Sequence, residues 1–95
     1  MKIEYDPVKR GVTLAARGLD MSDAAEVFET ELLTIEDNRL DYRESRFMTV
    51  GTLKARLVVL IWTSRGASRR IISVRKANAR EQAIYDPNPA DDPSL

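Results

Sequence analysis

The stretch that decides the fold spans residues 55–80 and reads ARLVVLIWTSRGASRRIISVRKANAR. Its first run, Leu57–Trp62, is β-branched, aromatic and continuous, which predicts a strand buried on both faces, with Trp62 in the core. Gly66 lies among small residues and predicts a short hairpin turn. The next run, residues 69–76, alternates and predicts a second strand. On that pattern Arg70, Ile72 and Val74 share one face, and the other carries Arg69, Ile71, Ser73 and Arg75.

Positive charge is concentrated in the same stretch. The whole chain has 15 basic and 15 acidic residues. Residues 1–53 have a balance of −4, residues 54–80 carry eight bases and no acid, and residues 81–95 carry four acids and no base. Because local potential steers a ligand, this zone predicts a polyanionic partner although the net charge is zero. The alternative is a solvated basic sheet edge, since Lys and Arg protect exposed edges from aggregation.

The remaining segments predict one α+β domain in residues 1–86, followed by a disordered acidic tail with prolines in residues 87–95. Asp6 before Pro7 predicts the start of a first helix, and Gly18 predicts its end. The buried side of that helix is expected to be Val8, Val12 and Ala15 or Ala16. The expected order is a strand at 2–5, helices at 7–17 and 22–30, an edge strand or crossing segment near 32–35, a strand at 44–50, the central hairpin, and a helix at 77–85.

The composition also excludes several classes of protein. The chain has no cysteine and no histidine, so it has no disulfide, and a zinc site would need carboxylates alone. We therefore expect no metal and no cofactor. No run of eighteen apolar residues and no signal-peptide pattern occurs, which predicts a cytoplasmic protein without membrane association.

Several motifs together resemble one family, the BrnT-type toxins of bacterial type II toxin–antitoxin pairs. The resemblance extends over roughly residues 3 to 85. Its most specific part is the strand-to-helix segment Arg70–Ala77, with Arg80, Glu81 and Tyr85 after it. The other matching residues are Tyr5-Asp6-Pro7-Val8-Lys9, then Gly18, Ala24 and Val27-Phe28, and then Glu44-Ser45-Arg46 followed by Gly51.

The resemblance implies a small RelE-like fold and a metal-independent RNA endonuclease that inhibits translation. It also implies neutralisation by a co-encoded antitoxin, typically of the ribbon-helix-helix type. Operator DNA is expected to be bound only through that antitoxin.

The chain departs from the family at the end of the first helix. The family often has Lys-His-Gly there, whereas this chain has Ala16-Arg17-Gly18, and Thr13 stands where an Asn is expected. Either Arg17 contacts phosphate in place of the histidine, or the activity is reduced or altered.

Metal-free RNA cleavage needs a base for the 2′-hydroxyl, donors that stabilise charge on phosphorus, and an acid for the leaving 5′-oxygen. The catalytic candidates are Glu44, Arg46, Arg75 and Tyr85. Glu44 is expected to act as the base or to orient Arg46, and a surface ion pair is the alternative. Arg75 is the first candidate to stabilise transition-state charge, and a structural pair with Glu81 or Glu44 is its alternative. Tyr85 is a candidate proton donor, with half-buried packing as the alternative.

The remaining basic residues are candidates for binding RNA rather than for chemistry. They are Arg17, Lys54, Arg65, Arg69, Arg70, Lys76 and Arg80.

Two other functions compete with the nuclease. In the first, the chain is a catalytically silent toxin-like subunit that acts through its antitoxin in an autorepressing DNA-binding complex. In the second, it is a basic nucleic-acid-binding domain outside any toxin pair, which predicts salt-dependent binding without cleavage.

Overall fold

A five-stranded sheet organises the part of the chain that the computed structural model describes, residues 1–38 and 43–85. The strands are β1 Lys2–Glu4, β2 Leu33–Glu36, β3 Arg46–Leu53, β4 Arg56–Arg65 and β5 Ser68–Lys76. The helices are α1 Pro7–Arg17, α2 Ala24–Glu29 and α3 Ala79–Tyr85, and a 3-10 turn at Met21–Asp23 precedes α2. Within these ranges, no helix has the length and apolar character needed to span a bilayer.

The strand order is β1-β5-β4-β3-β2. Strands β2 to β5 form an antiparallel meander, and β1 adds to the outer side of β5 in parallel. This confirms the predicted α+β class, with a strand and two helices before the meander and a helix after it. The predicted tail, residues 87–95, lies outside the described residues.

The first face of the sheet, called the α2 face here, holds the larger core. Val58, Leu60 and Trp62 of β4 pack there against Val27 and Phe28 of α2. The Trp62 Nε1–H donates to Thr49 Oγ1 at 2.8 Å, so the buried indole has a polar partner. Its placement in the core confirms the prediction.

The opposite face, called the α3 face, holds a smaller core. Val50 and Val59 pack there with Ala77, and Tyr85 at the end of α3 covers them. Strand β4 is therefore covered on both sides, as its continuous apolar run predicted.

A bulge in β5 overturns the predicted alternation of that strand. Trp62 pairs with Ile71, but Ile61 pairs with Ser73, so Ile72 is an extra residue without a partner on β4. An inserted residue reverses which face each later side chain occupies. Ile71 and Val74 consequently share the α2-face core, whereas strict alternation had placed them on opposite faces.

Helix α1 has the predicted ends but not the predicted buried side. Asp6 accepts a hydrogen bond from Val8 N, and Gly18 closes the helix with φ of 68°. Val8 and Val12 are exposed, and Thr13 is the buried residue of this helix. The polar contacts explain the inversion, because Arg10 donates to Asp20 at 2.7 and 2.9 Å. These hydrogen bonds hold the pKa of Asp20 well below its usual range.

Candidate active site: an arginine-rich cavity

A shallow cavity of about 240 Å³ lies where the beginning of β3, the end of β4 and the start of α1 meet. We call it the arginine cavity. Its lining residues are Asp6, Lys9, Glu44, Arg46, Arg65, Arg70, Ile71 and Ile72. The cavity brings together Glu44, Arg46, Arg65 and Arg70, four of the residues that the sequence singled out.

The strand register sets the positions of the cavity's arginines. Arg46 pairs with Thr63, and Thr63 pairs with Arg70, so the three side chains form one row across three strands on the α3 face. Thr63 Oγ1 also donates to the carbonyl oxygen of Ser45 at 2.6 Å. This bond holds the segment just before β3 against β4 and so positions Glu44 beside the row.

The cavity is electropositive. Four bases line it, Lys9, Arg46, Arg65 and Arg70, against the two acids Asp6 and Glu44. Glu44 is paired with Arg65, with an Oε2–Nε distance of 3.3 Å between half-exposed side chains. A carboxylate beside several guanidinium groups suits phosphate binding combined with proton removal.

Arg75 lies on the same face of the sheet but outside the arginine cavity. Its partner Val59 is four positions along β4 from Thr63, the partner of Arg70, which separates the two arginines by about 13 Å along the strand. Arg75 Nη1 and Nη2 donate to the two carboxylate oxygens of Glu81 at 2.7 and 2.9 Å. The structural pair that the sequence offered as the alternative for Arg75 is therefore formed.

Glu81 makes hydrogen bonds both to Arg75 and to the residues at the start of α3. It accepts a hydrogen bond from Asn78 N at 2.9 Å, and Glu81 N donates to Asn78 Oδ1 at 2.8 Å, which is a capping box. The hydrogen bonds from Arg75 and from Asn78 N lower the pKa of Glu81 to about 2. Arg75 and α3 are thus held together by one carboxylate.

The structure separates the other predicted residues from the cavity. Tyr85 packs in the α3-face core, which is the packing role given as its alternative. Lys54 lies at the turn between β3 and β4, with its Nζ 3.9 Å from Asp23 Oδ2. Lys76 and Arg80 are exposed at the end of β5 and in the first turn of α3.

Arg69 is on the α2 face. Its guanidinium carbon lies 4.5 Å from the ring centroid of Phe28 and 4.6 Å from that of Trp62, a cation–π arrangement that covers the core. The grouping of Arg69 with Arg75 on one face was wrong, because the bulge at Ile72 lies between them.

Arg17 holds the end of α1 to the sheet. Its Nη1 donates to the carbonyl oxygen of Val74 at 2.8 Å. Arg17, which the resemblance places where a histidine is often found, thus contacts β5 next to Arg75.

Sequence reasoning missed two charged lining residues, Asp6 and Lys9. Asp6 was identified only as a helix start, and the segment Tyr5–Lys9 only as a match to the family. The signal that could have found Lys9 is a basic side chain in the first turn of a helix, where anion sites are common. Within the described ranges, no three carboxylate groups lie close enough to hold a metal ion.

One comparison with known proteins is informative. A family model described as the ribonuclease toxin BrnT of type II toxin–antitoxin systems matches residues 5–81. That span includes every residue that lines the arginine cavity, as well as Arg75 and Glu81. No curated protein matches the sequence significantly.

Proposed function

This chain belongs to the BrnT family of toxins from type II toxin–antitoxin systems, and we propose that it is an RNA endonuclease whose site is the arginine cavity. Membership of a type II system also implies an antitoxin partner. The observation that carries the proposal is that the Glu44 carboxylate meets Arg46, Arg65 and Arg70 in a single open cavity.

The reaction is an internal displacement at phosphorus. Glu44 takes the proton of a 2′-hydroxyl, the 2′-oxygen forms a bond to phosphorus, and the bond to the 5′-oxygen breaks. Arg46 and Arg70 donate to the phosphate oxygens, where negative charge increases in the transition state. The products are a 2′,3′-cyclic phosphate and a 5′-hydroxyl end.

The leaving 5′-oxygen needs a proton. Tyr85 was the candidate from the sequence, but it packs in the α3-face core. Lys9 lines the arginine cavity and is the ammonium donor that we assign to this step.

The ion pair between Glu44 and Arg65 is compatible with this chemistry. Both side chains are more than a third exposed, and the two charged groups are 3.3 Å apart, so exchanging this contact for a phosphate costs little. Arg65 then binds the substrate while Glu44 becomes available as the base.

Two further bases lie along the path of a longer RNA strand. Arg75 is on the α3 face and Arg80 is in the first turn of α3, and we assign them to phosphates outside the cleaved linkage. Lys76 pairs with Val58 and so lies on the α2 face, away from this path. Cleavage of messenger RNA would inhibit translation. The antitoxin is expected to be of the ribbon-helix-helix type and to bring operator DNA into the complex.

A specific observation favours a second function, that of a catalytically silent partner subunit. Arg17, at the position of the family's histidine, donates to the carbonyl of Val74, and Arg75 is engaged by Glu81. In this second function the protein binds its antitoxin and represses transcription in the complex, without cutting RNA.

The deciding experiment is induced expression without the antitoxin, with RNA ends mapped in cells for the wild type, Glu44→Gln and Arg56→Ala. Arg56 is exposed at the start of β4 and outside the arginine cavity, so it controls for the loss of a charged side chain elsewhere on the surface. We expect growth arrest and new ends with 2′,3′-cyclic phosphate for the wild type and Arg56→Ala, and cleavage at least about 100-fold slower for Glu44→Gln. Normal growth at soluble expression supports the silent subunit, and unimpaired cleavage by Glu44→Gln removes Glu44 as the base.

A further inference from the structure

The outward side of α1 is apolar. Val8 is 76 % exposed and Val12 is 64 % exposed, and Ala15 and Ala16 on the same side of the helix are exposed too. We call these four residues the α1 stripe. They extend over about 12 Å of helix. A helix on the surface of a globular protein normally turns such a stripe toward its own core.

Polar contacts fix the helix in this inverted orientation. On the side facing the protein, Arg10 is paired with Asp20, Thr13 is buried, and Arg17 donates to the carbonyl of Val74. These contacts hold both ends of α1, so the apolar side stays in solvent. An apolar stripe held outward in this way is typical of a surface that another protein covers.

The stripe begins at the end of α1 that lines the candidate active site. Asp6 and Lys9, at the start of the same helix, line the arginine cavity, and Val8 lies between them in sequence. A partner seated along the stripe therefore reaches the mouth of a cavity lined by four bases and two acids. Charge complementarity favours a partner with acidic side chains at that end.

We propose that the α1 stripe is the docking surface for an amphipathic helix of the antitoxin. Its apolar side chains pack on Val8 and Val12, and its acidic side chains point toward Lys9 and the arginine cavity. This inference rests on the proposed function only in identifying the cavity as the site to be blocked. A second copy of this chain fits less well, because α1 itself, PVKRGVTLAAR, has no acidic residue to complement the bases of the cavity.

The test measures binding of the purified full chain to the protein encoded by the adjacent gene, by calorimetry. Val8→Ser/Val12→Ser removes the apolar contact without disturbing a buried residue. We expect it to weaken binding at least tenfold. The matched control is Ile84→Ser, since Ile84 on α3 is 62 % exposed and outside the stripe; we expect a change of less than twofold. The affinity of the wild type should also fall as salt is raised.

Several results would overturn the proposal. They are wild-type affinity for the double variant, an equal loss for Ile84→Ser, no binding of the neighbouring gene's product by the wild type, or an affinity independent of salt. A wild-type dimer that the double variant abolishes, seen by sedimentation without antitoxin, would assign the stripe to a second copy instead. Binding is scored separately from RNA cleavage, so a chain that binds through the stripe but cuts no RNA would refute the proposed nuclease and leave this surface standing.

Discussion

Arg69 and Arg70 are consecutive in sequence but belong to different regions of the molecule. Arg69 lies over the rings of Phe28 and Trp62 on the α2 face, where α2 closes the larger core. Arg70 lies in a row with Thr63 and Arg46 on the α3 face and lines the arginine cavity. The same residue type therefore stabilises aromatic packing on one side of the sheet and lines an electropositive cavity on the other. Strand register, rather than residue type, separates the two roles.

The largest expected effect comes from exchanging these two neighbours for alanine, one at a time. In the proposed reaction Arg70 donates to the transition-state phosphate, so we expect Arg70→Ala to slow RNA cleavage by about 100-fold or more, with little change in melting temperature. Arg69→Ala removes the cation–π contacts, so we expect the free energy of unfolding to fall by about 1–2 kcal/mol while cleavage by the folded protein is largely kept. Cleavage rates and urea unfolding on the same samples check both. Equal loss of cleavage in the two variants would break the separation of the faces.

Gly51 tests how tightly the α2 face is closed. A Cβ at this position would lie 2.5 Å from the carbonyl oxygen of Val27 and 3.0 Å from its Cγ1. The carbonyl oxygen of Val27 is part of the backbone and cannot move aside as a flexible side chain can. Gly51→Ala is therefore expected to lower the free energy of unfolding by about 1–3 kcal/mol. Gly11→Ala is the matched control, since its Cβ meets nothing within 4 Å in α1, and it is expected to stabilise by up to about 1 kcal/mol. Equal melting temperatures for the two variants would mean that α2 packs less closely than described.

The smallest expected effect concerns Arg75, another arginine of the α3 face, which stabilises the fold through its ion pair with Glu81. The pKa of Glu81 is lowered to about 2 from 4.5, so its pairing with Arg75 stabilises the fold above about pH 4.5, and this stabilisation is lost as the pH falls toward 2. Glu81→Gln keeps the capping geometry but removes the charge. Because Arg75 is partly exposed, we expect a loss of only about 1 kcal/mol at pH 6.

Urea unfolding of the wild type and Glu81→Gln at pH 6 and at pH 3 measures that loss. The difference between the two proteins should shrink at the lower pH. A difference that stays constant or grows would show that the charge of Glu81 does not carry the stabilisation.

The segments with strong local signals were predicted well. The ends of α1 were predicted correctly from Asp6, Pro7 and Gly18, because capping and turn chemistry depend on a few neighbouring residues. The continuous run Leu57–Trp62 gave the central strand, since a strand covered on both sides needs apolar side chains on both. The grouping of Glu44 with Arg46 also followed from local sequence.

The features that sequence reasoning missed depend on contacts between distant segments. No property of Ile72 alone distinguishes a bulge from regular alternation, yet the bulge decides that Arg70 and Arg75 share a face. The buried side of α1 was misjudged because Arg10 and Arg17 find partners at Asp20 and Val74. These polar contacts, rather than the apolar stripe, decide which side of α1 faces the protein, and hydrophobic periodicity alone does not reveal them.

The parallel pairing of β1 with β5 has a consequence for the order of folding. Lys2 pairs with Ser68, 66 residues away, whereas the hairpin strands β3, β4 and β5 pair with their immediate neighbours. Contacts of long sequence separation form slowly, because the intervening chain must first be ordered. We therefore expect amide protection to develop first in β3–β5 and last in β1. Newly made chains would pass through a stage with a formed sheet but an unfinished cavity wall at Asp6 and Lys9, and would complete the arginine cavity only when their first residues dock.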